Sequence, residues 1–73
     1  MLAHMLGRRI ATLRKRSGFT QEQLAEAAGY SVEFISLVER GVNSPTVAGI
    51  DRIAQVLKVE AKELFSFDEE DHQ

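Results

Sequence analysis

The segment from Thr20 to Gly41 permits few folds, because it punctuates two short amphipathic helices with hardly a residue to spare between them. Thr20 is a good N-cap. Gln23, three places on, completes a capping box in which a hydroxyl and an amide satisfy the first free backbone groups of a helix. Leu24, Ala25 and Ala28 then make a narrow apolar stripe whose small alanines let another helix cross closely. Gly29 ends this helix in the left-handed C′ conformation, and Ser31 caps a second one at once, so the turn between them is only about three residues long.

A turn that short is typical of a helix-turn-helix unit rather than of a loose bundle connection. In the second helix Ile35 and Val38 face the core at i and i+3, while Val32, Glu33, Ser36, Leu37 and Arg40 fall mostly on the other side, with Phe34 at the edge. That outward side has little reason to exist unless it touches something. Gly41 stops the helix, and Pro45 followed by Thr46 starts the next. Periodicity places helix 1 over about residues 4–17, with Leu6, Ile10 and Leu13 on one face, Gly18 as its stop and Phe19 stapling the start of helix 2. Helix 4 is expected over about 46–57, with Ile50, Ile53, Ala54 and Leu57 on one face and Val59 plugging the core behind it. A short fifth helix over about 61–66 carries Leu64 and Phe65, and Glu60 at its N-cap position predicts a start that frays. The fold expected is thus all-α, one domain over residues 1–66 followed by an acidic tail over 67–73 that is too polar to pack and is expected to be disordered.

The order of these residues resembles the Cro/CI-type (XRE) helix-turn-helix family of bacterial and phage transcription regulators. The resemblance is carried by Thr20-Gln21-Glu22, Leu24-Ala25, Gly29, Ser31, Ile35-Ser36, Glu39-Arg40-Gly41 and Pro45. It continues upstream in Ile10, Leu13-Arg14 and Gly18, and downstream in Ile53-Ala54, Leu57, Val59 and Glu63-Leu64-Phe65. It covers roughly residues 6–65, and an ordered set of that length is far more specific than an isolated Thr-Gln pair. It implies a five-helix, lambda-repressor-like DNA-binding domain whose third helix lies in the major groove of double-stranded DNA.

Site roles follow from the resemblance and from residue chemistry together. Val32, Glu33, Phe34, Ser36 and Leu37 occupy the positions from which members of the family reach base edges. Glu33 can accept from a cytosine amino group, Ser36 can pair with several edges, and Val32 or Leu37 can pack on a thymine methyl. None is an arginine able to grip guanine with two bonds, so modest discrimination per base pair is expected. Gln21, at the first turn of helix 2, matches a glutamine that meets phosphate in the family, and a helix N-terminus favours anions. Ser31, Arg40, Asn43 and Ser44 are further candidate phosphate contacts, as are Arg8, Arg9 and Lys15 on helix 1. The arginine matching Arg14 pairs in the family with the glutamate matching Glu39, which implies a structural ion pair here. Leu57, Leu64, Phe65 and Phe67 are more apolar than the end of a small monomer needs, and are the candidate homodimer surface.

Charge and composition set limits on this reading. The net charge is −2, but removing the four acids of Asp68, Glu69, Glu70 and Asp71 leaves 9 basic residues against 7 acidic ones. The folded part is only mildly positive, which supports nucleic-acid binding weakly on its own. With no cysteine, disulfides and thiolate zinc sites are excluded. The two histidines are near the ends and no Ser/His/Asp or Cys/His set exists, so neither an enzyme nor a metal or cofactor site is expected. No apolar run approaches the roughly 20 residues that span a bilayer and the N-terminus lacks a signal-peptide pattern, so a cytoplasmic protein is expected. The function expected is a sequence-specific transcriptional regulator, a dimer on a palindromic operator, of the restriction-modification controller or phage-repressor type. The alternative is a protein-binding adaptor or antitoxin-like module that uses the acidic tail, with a partner the chain does not name.

Overall fold

A computed structural model describes residues 1–67 as four α-helices and one 3-10 helix, with no strand among them. The helices are α1 (Leu2–Arg16), α2 (Gln21–Ala28), α3 (Val32–Glu39) and α4 (Val47–Leu57), and the 3-10 helix is Ala61–Phe65. The short fifth helix expected over about 61–66 is thus a 3-10 helix and not a fifth α-helix. Glu63 N–H donates to the Glu60 carbonyl at 2.9 Å and Ser66 N–H to Glu63 at 3.3 Å, bonds of i→i+3 spacing that wind the segment tighter than an α-helix. The acidic residues 68–71 and His72 lie outside the described residues.

Local chemistry sets the boundaries of α2 and α3. The Thr20 hydroxyl accepts from Gln23 N–H at 3.0 Å while the Gln23 amide oxygen accepts from Thr20 N–H at 2.9 Å. Gly29 takes φ 79, the Ser31 hydroxyl accepts from Phe34 N–H at 3.1 Å, and the Thr46 hydroxyl accepts from Gly49 N–H at 3.1 Å to start α4. Each such cap is worth about 1 kcal/mol, which matters for helices of 8 residues that would not hold alone.

One core joins all five elements. Leu6, Ile10 and Leu13 of α1 meet Leu24, Ala25 and Ala28 of α2, Ile35 and Val38 of α3, Ile53, Ala54 and Leu57 of α4, and Leu64 of the 3-10 helix. Phe19, Ile50 and Val59 are half-buried against its rim. The crossing of α1 over α3 is close because Gly7 has no side chain: a Cβ there would stand 2.1 Å from the Val38 carbonyl oxygen. Two arginines are buried with the core, Arg9 at 2% and Arg14 at 8% exposure. Arg9 Nε donates to the Glu63 carbonyl at 2.7 Å, so this side chain fastens α1 to the 3-10 helix. It is not available as a phosphate contact.

Candidate nucleic-acid interface

The interface is built on α3, whose two sides differ sharply. Ile35 and Val38 are at 0% and 1% exposure, while Glu33 and Arg40 are exposed and Ser36 and Leu37 half-buried on the opposite side. Successive residues turn by about 100°, which gathers Glu33, Ser36, Leu37 and Arg40 on the outward face and leaves Val32 and Phe34 on its two flanks. Val32 lines an open concavity of about 500 Å³ with Arg14, Phe19, Thr20, Gln21 and Glu22, at the N-terminus of α2.

Phe34 belongs to a cluster that the sequence reading did not find. Its ring lies 4.6 Å from that of Tyr30 in the turn, and the Arg52 guanidinium sits 5.1 Å over the Tyr30 ring. Arg52 Nε also donates to the Ala28 carbonyl at 3.2 Å, satisfying an acceptor at the C-terminal end of α2 where a cation is favoured. Tyr30 precedes the Ser31 cap, outside α3, so helical periodicity does not bring it to Phe34, and nothing in the sequence marks Arg52.

On the other flank, the ion pair between Arg14 and Glu39 is present as a two-pronged fork. Arg14 Nε lies 2.6 Å from Glu39 Oε2 and Nη2 lies 3.1 Å from Oε1, with the side chains at 10% and 7% exposure. The third nitrogen, Nη1, donates to the Phe19 carbonyl at 2.8 Å. Gln21 joins this group, because its Nε2 donates to Glu39 Oε1 at 2.9 Å. A fork of this kind orients both partners as well as neutralising them.

The remaining candidates lie around these features. Ser31 uses its oxygen as the cap of α3. Arg40, Asn43 and Ser44 are exposed on the segment after α3, which is drawn back onto the helix by Val42 N–H and Asn43 N–H donating to the Leu37 carbonyl at 2.9 and 3.3 Å. Arg8 and Lys15 are exposed on α1. The proposed dimer residues divide: Leu57 and Leu64 close the monomer core at 4% and 0% exposure and are removed from the candidate surface, whereas Phe65 is exposed and packs edge-on to Phe67 with centroids 6.1 Å apart. Phe65 borders an apolar groove of about 580 Å³ with Val47, Ala48, Ile50, Asp51 and Ala61. Val47, exposed to solvent, is the largest apolar residue of this groove that sequence periodicity did not single out. Among the described residues no group of three or more metal-ligating side chains gathers, and no helix is long and apolar enough to cross a membrane.

Comparison with known proteins agrees with this geometry. The family model for a helix-turn-helix domain matches residues 5–65. The HTH-type transcriptional regulator YazB of Bacillus subtilis is 45% identical over 64 residues, which is 88% of this chain and 93% of that protein. The chain belongs to the XRE-type helix-turn-helix family of transcriptional regulators. Among solved structures, the restriction-modification controller protein C.AhdI from Aeromonas hydrophila superposes with a TM-score of 0.84 at 33% identity, over 86% of this chain and 91% of that one. The biofilm master regulator SinR, solved in complex with DNA, superposes with a TM-score of 0.78 at 31% identity, over 84% of this chain and 98% of that one. This family is one of DNA-binding regulators and not of enzymes.

Proposed function

We propose that this protein regulates transcription by binding a palindromic DNA operator as a homodimer, with the outward face of α3 in the major groove. The observation that carries the reading is the two-sidedness of α3: the fold buries Ile35 and Val38, leaves Glu33 and Arg40 exposed, and only half-covers Ser36 and Leu37 between them. Two such helices would enter successive major grooves about 34 Å apart. Val32 and Phe34 border the base-reading residues, and Gln21, Ser31, Arg40, Asn43 and Ser44 are the phosphate contacts on either side. Phe65, Phe67 and the groove against Val47 and Ile50 supply the dimer surface, since burying an exposed apolar strip is what a chain this small gains from pairing.

The superposition on almost the whole of C.AhdI supports a controller role, and that on SinR in its DNA complex supports binding to DNA. Both are single helix-turn-helix readings of the same face. The test is selection of bound sequences from a random duplex pool, followed by a salt titration of the recovered duplex. A palindrome, with affinity that falls steeply as salt rises, is the expected result. Recovery of no preferred sequence would overturn the reading. Deleting residues 68–73, which spares Phe67, is expected to leave duplex binding in place; loss of function without loss of DNA binding would favour the adaptor reading instead.

A further inference from the structure

The Glu39 carboxylate stands where three helices meet and receives donors from two of them, Arg14 of α1 and Gln21 of α2. A primary amide carries two N–H donors, and the 2.9 Å bond to Glu39 Oε1 uses one of them. Gln21 is the first residue of α2, on the rim of the open concavity there, and the capping box already occupies Thr20 and Gln23. The second amide proton of Gln21 therefore remains for a ligand at that rim.

We infer that Glu39 and Arg14 are positioning residues for DNA binding, which hold the Gln21 amide so that its second N–H meets a phosphate at a fixed offset from the base-facing residues. This rests on the reading that Gln21 contacts phosphate. Glu39 lies on α3 with Glu33, Ser36 and Leu37, so the bond from Gln21 ties the phosphate contact to the reading helix itself. Arg14 serves both ends of this tie: two of its nitrogens hold Glu39 and the third holds the Phe19 carbonyl, one residue before the cap of α2. It also cancels the carboxylate charge, which would otherwise repel the phosphate. An amide already ordered by its bond to Glu39 loses less freedom when it meets the phosphate.

The experiment is a cycle on the tightest duplex recovered from the random pool, with affinities measured on protein shown to be folded. Its corners are the wild type, Gln21→Ala, the joint change Arg14→Leu with Glu39→Leu, and all three changes together. The paired leucines remove the tie without leaving a buried charge, so the variant is expected to fold. Gln21→Ala and the leucine pair should each weaken binding by roughly tenfold, the scale of one hydrogen bond to a charged group, and the triple variant should be no weaker than Gln21→Ala. Losses that multiply, or a leucine pair that binds as wild type, would overturn the positioning role. If Gln21→Ala binds as wild type, the phosphate contact itself is wrong and the inference falls with it. A second measurement uses the unaltered protein: in NMR spectra one Gln21 side-chain proton should be hydrogen-bonded in the free state and both in the complex. Release of the proton bound to Glu39 on adding duplex would show that Gln21 swings away, and would sink the proposal.

Discussion

The half of the molecule that carries α2 and α3 and the half that carries α4 and the 3-10 helix are fastened by different means. Around α2 and α3 each boundary has the residue type its backbone geometry asks for: a threonine and a serine at the N-caps, a glycine at φ 79, and an arginine fork on a carboxylate. At the other end α4 stops with Lys58 at φ 60, and α1 is held by a bond from Arg9 to a backbone carbonyl; the fraying start expected at Glu60 is instead closed by its N–H donating to the Glu63 carboxylate at 3.2 Å. The difference teaches that local rules are strictest where the relative placement of two helices matters for function. In the other half the helix starts are also capped, by Thr46 and by Glu60 with Glu63, but with Leu57 and Leu64 buried a lysine is tolerated at the left-handed stop of α4.

The largest expected effect follows from the fork. Arg14→Leu leaves the Glu39 carboxylate, at 7% side-chain exposure, without its counter-ion, and a loss of about 3–5 kcal/mol in unfolding free energy is expected. Adding Glu39→Leu should restore most of it, as urea denaturation of the single and double variants would show. A single change costing less than about 1 kcal/mol would mean that the pair is no more than a surface contact, and the contrast between the halves would lose its main support.

Gly7→Ala comes next. The new methyl would meet the carbonyl oxygens of Val38 and Glu39 at 2.1 and 2.9 Å, and both belong to the backbone, so α1 must back away from α3. A cost of about 1–3 kcal/mol is expected. On the other side, Arg9→Met removes the donor to the Glu63 carbonyl that fastens α1 to the 3-10 helix, and a cost of at least about 1–2 kcal/mol is expected. The two should separate in hydrogen exchange and in binding. Arg9→Met should speed exchange at Leu64 and leave the duplex affinity of the folded protein unchanged, whereas Gly7→Ala should lower that affinity because it shifts α3. Equal effects on binding would erase the distinction between the halves.

How much was legible in the sequence follows the same division. The limits of α2 and α3 were readable because caps and glycine stops are chemistry within four residues, and the outward face of α3 was readable from its period. The Arg14–Glu39 pair came from the family resemblance. What escaped was tertiary: the acceptor for Arg9 is a carbonyl 54 residues away, and a carbonyl leaves no mark in a sequence. Apolar periodicity marked Leu57, Leu64 and Phe65 alike, since it shows that a residue seeks cover and not whether the cover is the same chain or another.

The smallest effect compares two of the left-handed helix ends, Lys58 and Gly29, directly. Lys58 holds a conformation that costs a side-chain-bearing residue about 1–2 kcal/mol, so Lys58→Gly should relieve that strain. The glycine also loosens the unfolded chain, which takes back about 0.5–1 kcal/mol. A net gain of about 0.5–1 kcal/mol, or a few degrees in Tm, is expected. Gly29→Ala is the mirror experiment at α2. A Cβ there would have nothing within 4 Å, so only the backbone conformation is at stake and the sign should reverse, with a loss of about 0.5–1 kcal/mol. Opposite shifts of similar size in thermal unfolding would show that the two ends differ only in how well their residue suits one backbone geometry. If Lys58→Gly instead lowered Tm, the stem of Lys58 must be packing against its neighbours, and the α4 end would be as fitted to its place as the α2 end.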